Sequence, residues 1–233
     1  MNTSVLSVNN VDKNYGQRKA LQGASFNVEK GQIVGLLGPN GSGKTTLIKI
    51  INNLITDYTG DIQVCGAPLG VLSKAKISYL PDTIFLRKDI KISTAFGIYR
   101  DFFIDFDIVK AQEMLTLVEL TEEQRINTLS KGMKEKLQLV LAMARQASLY
   151  IFDEPIAGVD PAAREFIIET ILKHYSEDGS ILFATHLISD VEHFITRVLF
   201  LKEGHIILDG DSDELRENRG KSINKIFKEE FKC

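Results

Sequence analysis

The run Gly38-Pro39-Asn40-Gly41-Ser42-Gly43-Lys44-Thr45-Thr46 has residue types and spacing suited to closing a backbone around phosphate oxygens. Glycines at 38, 41 and 43 permit positive φ and let N–H groups approach an anion closely. Lys44 supplies a compact cation for β- and γ-phosphates, and the Thr45 hydroxyl is a ligand for Mg²⁺. Such a run carries this meaning only between a strand and a helix. Ile33 to Leu37 is an almost unbroken apolar stretch, as a buried parallel strand requires. After Thr46, Leu47, Ile50, Ile51 and Leu54 recur at helical spacing, which points a helix N-terminus at the anion.

Acids come next. Leu149-Tyr150-Ile151-Phe152 runs into Asp153-Glu154-Pro155, an apolar strand whose C-terminal end carries two carboxylates, where open α/β sheets place ligands. Strand alternation sends the two acids to opposite faces, one toward Mg²⁺ and one toward an attacking water. Ser180 to Ala184 reads as a further buried strand ending in Thr185-His186, and a neutral His186 imidazole there can hydrogen-bond a γ-phosphate. His174, His193 and His205 show no comparable placement. Ser130 is a natural N-cap for a helix whose Met133, Leu137, Val140, Leu141 and Ala144 form one stripe. With Gly132 it makes a second anion-binding helix start, or an ordinary capped core helix. Tyr15, in Asn14-Tyr15-Gly16, has a ring that stacks on a base or simply packs beside a turn.

The elements that position these residues follow from periodicity. Val5 to Tyr15, Ala24 to Val28, Asp61 to Val64 and Ile77 to Leu80 read as strands. From about Ile84 to Ala144 strand-like runs give way to helices, with Met114, Leu115, Leu117 and Val118 at helical spacing. Asp160-Pro161 opens a helix reaching about His174, and Val198 to Leu201 pairs with His205 to Leu208 across Glu203-Gly204. Ile223, Ile226, Phe227 and Phe231 make one face of a terminal helix, docked on its own domain or on a partner.

The 233 residues are 44% hydrophobic and 25% charged, an ordinary globular balance with room for a large core. A net charge of −3 lacks the cationic excess of a general nucleic-acid binder, so no nucleic acid is expected. Cys65 and Cys233 lack metal-ligand spacing and fit a reducing compartment as buried or bystander thiols. Met1 to Asn10 carries no secretory pattern, and no stretch reaches the roughly 18 apolar residues of a membrane span.

In this order the motifs resemble the nucleotide-binding subunit of an ATP-binding-cassette (ABC) transporter over essentially the whole chain. Tyr15, the Gly38 to Thr46 loop, Leu129-Ser130-Lys131-Gly132-Met133, Asp153-Glu154, Asp160 and His186 carry the likeness. Lys131-Gly132-Met133 and the Gly220-Lys221-Ser222 tail look most like bacterial antibiotic-peptide and multidrug exporters. The resemblance implies an α/β P-loop NTPase of the ABC-ATPase fold. It implies a RecA-like core (about 1–83 and 145–233), an N-terminal antiparallel β region and an inserted helical lobe (about 84–144), all one domain.

It further implies a Mg²⁺-dependent ATPase, with ATP sandwiched between two such subunits, identical or not, that drive an integral membrane permease. The subunit would lie in the cytoplasm, peripheral at the inner face of the membrane. Gly38, Pro39, Asn40, Gly41, Ser42, Gly43, Lys44, Thr45 and Thr46 would hold the triphosphate and Tyr15 the adenine. Thr45, Asp153 and Asp82 would hold the metal. Glu154 would polarise water, His186 hold the γ-phosphate and Asp160 cross the dimer interface. Ser130 and Gly132 would close on the partner's phosphate loop.

Three positions depart from the family pattern. Asp82 stands where Gln is usual, about one methylene shorter and adding negative charge. Lys131 replaces a glycine, and Met133 a glutamine. Two rivals within the fold are a soluble ATP switch in translation or DNA repair and a regulatory cassette with weak ATPase activity. The first usually brings two cassettes or a coiled-coil insertion, absent here. A GTPase would want Asn-Lys-x-Asp, and Asn224-Lys225 is followed by Ile226-Phe227.

Overall fold

The computed structural model describes residues 4–176 and 178–231, so Cys233 lies outside the described residues. In chain order the first elements are β1 (Ser4–Tyr15), β2 (Arg18–Glu29), β3 (Ile33–Leu37), α1 (Lys44–Ile51), β4 (Thr59–Val64), β5 (Ala67–Pro68), α2 (Val71–Lys76) and β6 (Ile77–Leu80). A helical stretch follows with α3 (Ile92–Phe102), α4 (Ile108–Leu117), a 3₁₀ turn (Ile126–Thr128) and α5 (Lys131–Met143). The chain then forms β7 (Leu149–Asp153), α6 (Pro161–His174), β8 (Ser180–Thr185), α7 (Ile188–Val191), β9 (Arg197–Lys202), β10 (His205–Asp211), α8 (Ser212–Arg219) and α9 (Ile223–Phe231).

Two sheets result, an antiparallel one ordered β2-β1-β4-β5 and a larger one ordered β10-β9-β3-β8-β7-β6. In the larger sheet β9, β3, β8, β7 and β6 run parallel, and β10 closes the edge antiparallel to β9. Strands β3, β7 and β8 are buried at every position, the continuous apolar pattern of strands covered on both faces. One face packs Val34, Leu36, Ile151 and Leu182 against Leu47, Ile48 and Ile51 of α1 and against the antiparallel sheet. The other packs Phe152, Phe183 and Phe200 against helices, in a cluster that continues without a break to Phe96, Phe106 and Met114 of the helical stretch. Buried Arg145 stitches that continuity: it pairs with Asp105 at 2.9 Å and donates to the carbonyls of Ala75 and Ile77.

Some local expectations need correction. α1 stops at Ile51, because Asn53 adopts φ 53, and Leu54 is exposed instead of completing the stripe. Leu117 is likewise exposed, with Met114, Leu115 and Val118 inside. β2 begins at Arg18, earlier than its apolar run, because it continues the β1 ladder to Tyr15↔Arg18. Glu203 and Gly204 both have positive φ, the two-residue loop that matches strand twist in a hairpin. α9 docks on its own domain, with Phe227 and Phe231 packed edge-on to Phe200. Cys65 is exposed and unpaired.

Candidate nucleotide site

Four adjacent parallel strands, β3, β8, β7 and β6, end in register, with Leu37 beside Thr185, Asp153 beside Ala184 and Leu80 beside Phe152. Residues following each strand therefore share one edge of the sheet, where ligands of such sheets gather. After β3 comes the Gly38 to Thr46 loop, after β8 His186, after β7 Glu154, and after β6 Asp82. A cleft of about 270 Å³ on this edge is lined by Tyr15, Arg18, Asn40, Gly41, Gly43, Lys44, Thr45, Thr46, Asp82 and Glu154, with Ala20.

The loop is held by its glycines in two different ways. Gly41 and Gly43 have φ of 83° and 116°, in the range that L side chains rarely adopt. Gly38 does not, contrary to expectation. Its need is space, since a Cβ there would lie 2.4 Å from the Leu201 carbonyl oxygen. The Gly204 amide, in the β9–β10 turn, donates to the Ser42 carbonyl at 2.9 Å and anchors the loop from outside. α1 begins at Lys44, so the first-turn amides have no intrahelical acceptor and are free for an anion.

Charges converge below the loop. Lys44 Nζ, nearly buried, donates to the Gly38 carbonyl at 2.7 Å and the Pro39 carbonyl at 3.3 Å, and lies 3.3 Å from Glu154 Oε1. Glu154 Oε2 accepts from Thr185 Oγ1 at 3.1 Å and lies 2.9 Å from His186 Nδ1. Glu154 Oε1 has the Lys44 charge nearby but no hydrogen bond. Glu154 does not continue the strand, as alternation predicts. Its φ is 52°, and its amide bonds the Ala184 carbonyl at 2.9 Å. A backbone turn, not the pleat, separates the two acids.

Asp153 is fully buried. Its Oδ1 accepts from Thr45 Oγ1 at 3.2 Å, and its Oδ2 has no partner. Burial first, then the charge of Asp82, pushes the Asp153 carboxyl up to about 6, with Glu154 adding to the rise and Thr45 and Lys44 opposing it. A buried carboxylate oxygen without a donor, beside a hydroxyl and a second acid, is a donor set that fits a divalent cation with the remaining ligands from phosphate and water. Among the described residues no group of three or more His, Cys, Asp or Glu forms a cation site by itself.

The raised Asp153 value has a sign that can be checked. A carboxyl more basic when folded than its ordinary 3.8 binds a proton that the unfolded chain releases, so stability from this group is lost as pH rises from about 4 to 6. Asp153→Asn is therefore expected to stabilise the ligand-free protein at pH 8 by about 1–3 kcal/mol. That gain should fade toward pH 4, as measured by denaturant unfolding at both pH values. A gain independent of pH would remove the buried charge as its cause.

Tyr15 borders the cleft, with Lys13 Nζ 4.6 Å from its ring centroid. Ser130 caps α5, accepting from the Met133 amide at 3.3 Å, and neither it nor Gly132 lines the cleft. Lys131 is exposed, 3.6 Å from Glu135, and Met133 packs against the core. Asp160 caps α6 through the Ala163 amide at 3.1 Å. Arg18, unremarked in the sequence, reaches the loop, its Nη2 3.4 Å from where a Gly41 Cβ would sit. Only the β1–β2 register, pairing Tyr15 with Arg18, brings it there.

The ABC transporter family profile matches residues 21–157. The linearmycin resistance ATP-binding protein LnrL of Bacillus subtilis is 32% identical over 225 residues, covering 93% of this chain and 72% of that protein. The Nod factor export ATP-binding protein I of Rhizobium meliloti is 33% identical over 217 residues, covering 89% and 64% respectively. A solved ATP-binding subunit of an ABC transporter superposes with a TM-score of 0.85 at 26% identity, covering 97% of this chain and 99% of its own. With its phosphate loop, paired acids and strand-edge histidine on one sheet edge, the chain belongs to the ABC transporter family, as an ATP-binding subunit with ATPase activity.

Proposed function

We propose that this chain contributes half of a composite ATP site that powers an exporter, and that a second cassette, identical or not, completes it. One observation carries the reading. Lys44, Thr45, Asp82 and Glu154 meet at a single cleft, while the capped helix start at Ser130 and Gly132 lines none of it. That helix start offers another copy a second anion-binding surface.

Within the cleft the loop from Gly38 to Thr46 binds the triphosphate, and its oxygens take over Lys44 from the Gly38 and Pro39 carbonyls and from Glu154. Tyr15 offers its ring to the base. Thr45, Asp153 and Asp82 would hold Mg²⁺, which would neutralise phosphate charge. Glu154 is oriented through Oε2 by Thr185 and His186, leaving Oε1 to accept a proton from the attacking water. His186 engages Glu154 through Nδ1, so Nε2 is the atom placed for the γ-phosphate. Asp160 faces the dimer interface.

Among the described residues no helix is long and apolar enough to cross a membrane. Transport itself belongs to an integral membrane permease, with this chain peripheral on the cytoplasmic side. Exposed Phe102 and Ile104, neighbours at and after the end of α3, offer apolar surface to that partner. Relatives named for linearmycin resistance and Nod factor export favour outward transport.

Mixing tests the shared site. Lys44→Ala damages the loop half and Ser130→Phe the helix half, so each variant alone should be nearly inactive. A mixture forms dimers with one intact composite site, and phosphate release should rise well above the sum of the two. A mixture no more active than its parts would place the whole site within one chain.

A further inference from the structure

Residues 81–91 follow β6 without a helix or strand, yet they carry Asp82 into the phosphate cleft. Such a stretch needs an external support if Asp82 is to keep its place. Among the described residues the hydrogen bonds that tie the 83–85 backbone to the rest of the molecule come from one side chain, Gln138. Its Oε1 accepts from the Phe85 amide at 3.1 Å, and its Nε2 donates to the Thr83 carbonyl at 3.3 Å. These two bonds orient the amide, since one end must accept and the other must donate.

Gln138 is buried, with 3% of its surface exposed, on an α5 segment otherwise filled by Leu137, Leu139, Val140 and Leu141. A polar residue in such company loses hydration that only specific partners restore. Its neighbours extend the connection. One crevice is lined by Pro81, Asp82, Thr83 and Gln138 together with Glu154 and Pro155. The same helix starts at Ser130 and Gly132, two turns earlier.

We propose that Gln138 is a positioning residue for nucleotide binding: its buried amide fixes the Asp82 segment to α5, joining the acid in the phosphate cleft to the helix that presents Ser130. This rests on the metal-binding role given to Asp82 above. Gln138 touches no reacting atom and acts through Asp82. The arrangement gives this chain a rigid link between its own phosphate half and the half it offers a partner.

The test measures ATP affinity by equilibrium titration with Mg²⁺ and with EDTA, for the full chain and for Gln138→Met, each with Asp82 native or changed to Ala. With native Asp82, Gln138→Met should cut the Mg²⁺-dependent gain in ATP affinity roughly tenfold, the scale of outer-shell metal partners. Affinity in EDTA should be unchanged, and in the Asp82→Ala background Gln138→Met should add nothing. Gln138→Glu keeps the acceptor for Phe85 but loses the donor to Thr83, so an intermediate loss is expected if the Met variant folds poorly. Hydrogen exchange at the Phe85 amide should accelerate in both variants. An unchanged Mg²⁺ gain, or equal losses in both Asp82 backgrounds, would overturn the role of Gln138 alone. A wild-type chain whose ATP affinity ignores Mg²⁺ would overturn the metal reading of Asp82 first, and this inference with it.

Discussion

Glu154→Gln is expected to lower ATP turnover by roughly 10²–10⁴-fold, the usual contribution of a positioned general base, while ATP stays bound. The substitution keeps the shape of the side chain. An amide oxygen can still accept from Thr185 Oγ1, where Glu154 Oε2 now lies at 3.1 Å. What disappears is the carboxylate at Oε1, the atom that has no hydrogen bond in the free site and lies 3.3 Å from Lys44. The phosphate loop is untouched, so the binding half of the reaction survives the loss of the chemical half. A composite site then predicts that the ATP-loaded variant accumulates as a dimer. Phosphate release and sedimentation with Mg·ATP measure the two effects separately. Turnover close to that of the native chain would take Glu154 out of the chemistry.

Lys44→Ala should fail at the earlier step. A charged hydrogen bond is worth about 1.5–3 kcal/mol, which corresponds to an affinity loss of roughly 10- to 100-fold. In the free protein Lys44 already spends its ammonium on the Gly38 and Pro39 carbonyls and on Glu154. Its removal leaves a largely buried Glu154 without its cation, so thermal unfolding must be followed alongside binding to separate lost affinity from lost fold. Equilibrium titration with ATP at matched folded fraction reads the first effect. Unchanged affinity there would show that the loop amides alone hold the phosphates. Opposite behaviour in the two variants, ATP retained in Glu154→Gln and lost in Lys44→Ala, is what distinguishes a base from a phosphate ligand.

Much of this site is legible in the sequence because its parts are local. The phosphate loop needs a buried strand before it and a helix after it, and Ile33 to Leu37 and Leu47 to Ile51 declare both by hydrophobic pattern. The strand before Asp153, the Ser130 cap and the Glu203-Gly204 hairpin are equally local and stand where the pattern puts them. The same pattern carries the helix after Thr46 on to Leu54, past its end at Ile51. Periodicity sees side chains, while the stop depends on the backbone of Asn53.

What the amino-acid order determined alone is the chemistry available: a cation and glycines for phosphate, paired acids, a histidine, and the strands that end at them. Tertiary structure decided how they meet, because strand order and register depend on non-local packing that no short window contains. Only the β3-β8-β7-β6 order sets Glu154 against both Lys44 and His186, and only the β1–β2 register lifts Arg18 over Gly41. The burial that raises the Asp153 carboxyl, and the reach of Gln138 to Thr83 and Phe85, belong to the same class. Thr45 meets Asp153 across 108 positions, and Gln138 reaches Phe85 and Thr83 across 53 and 55.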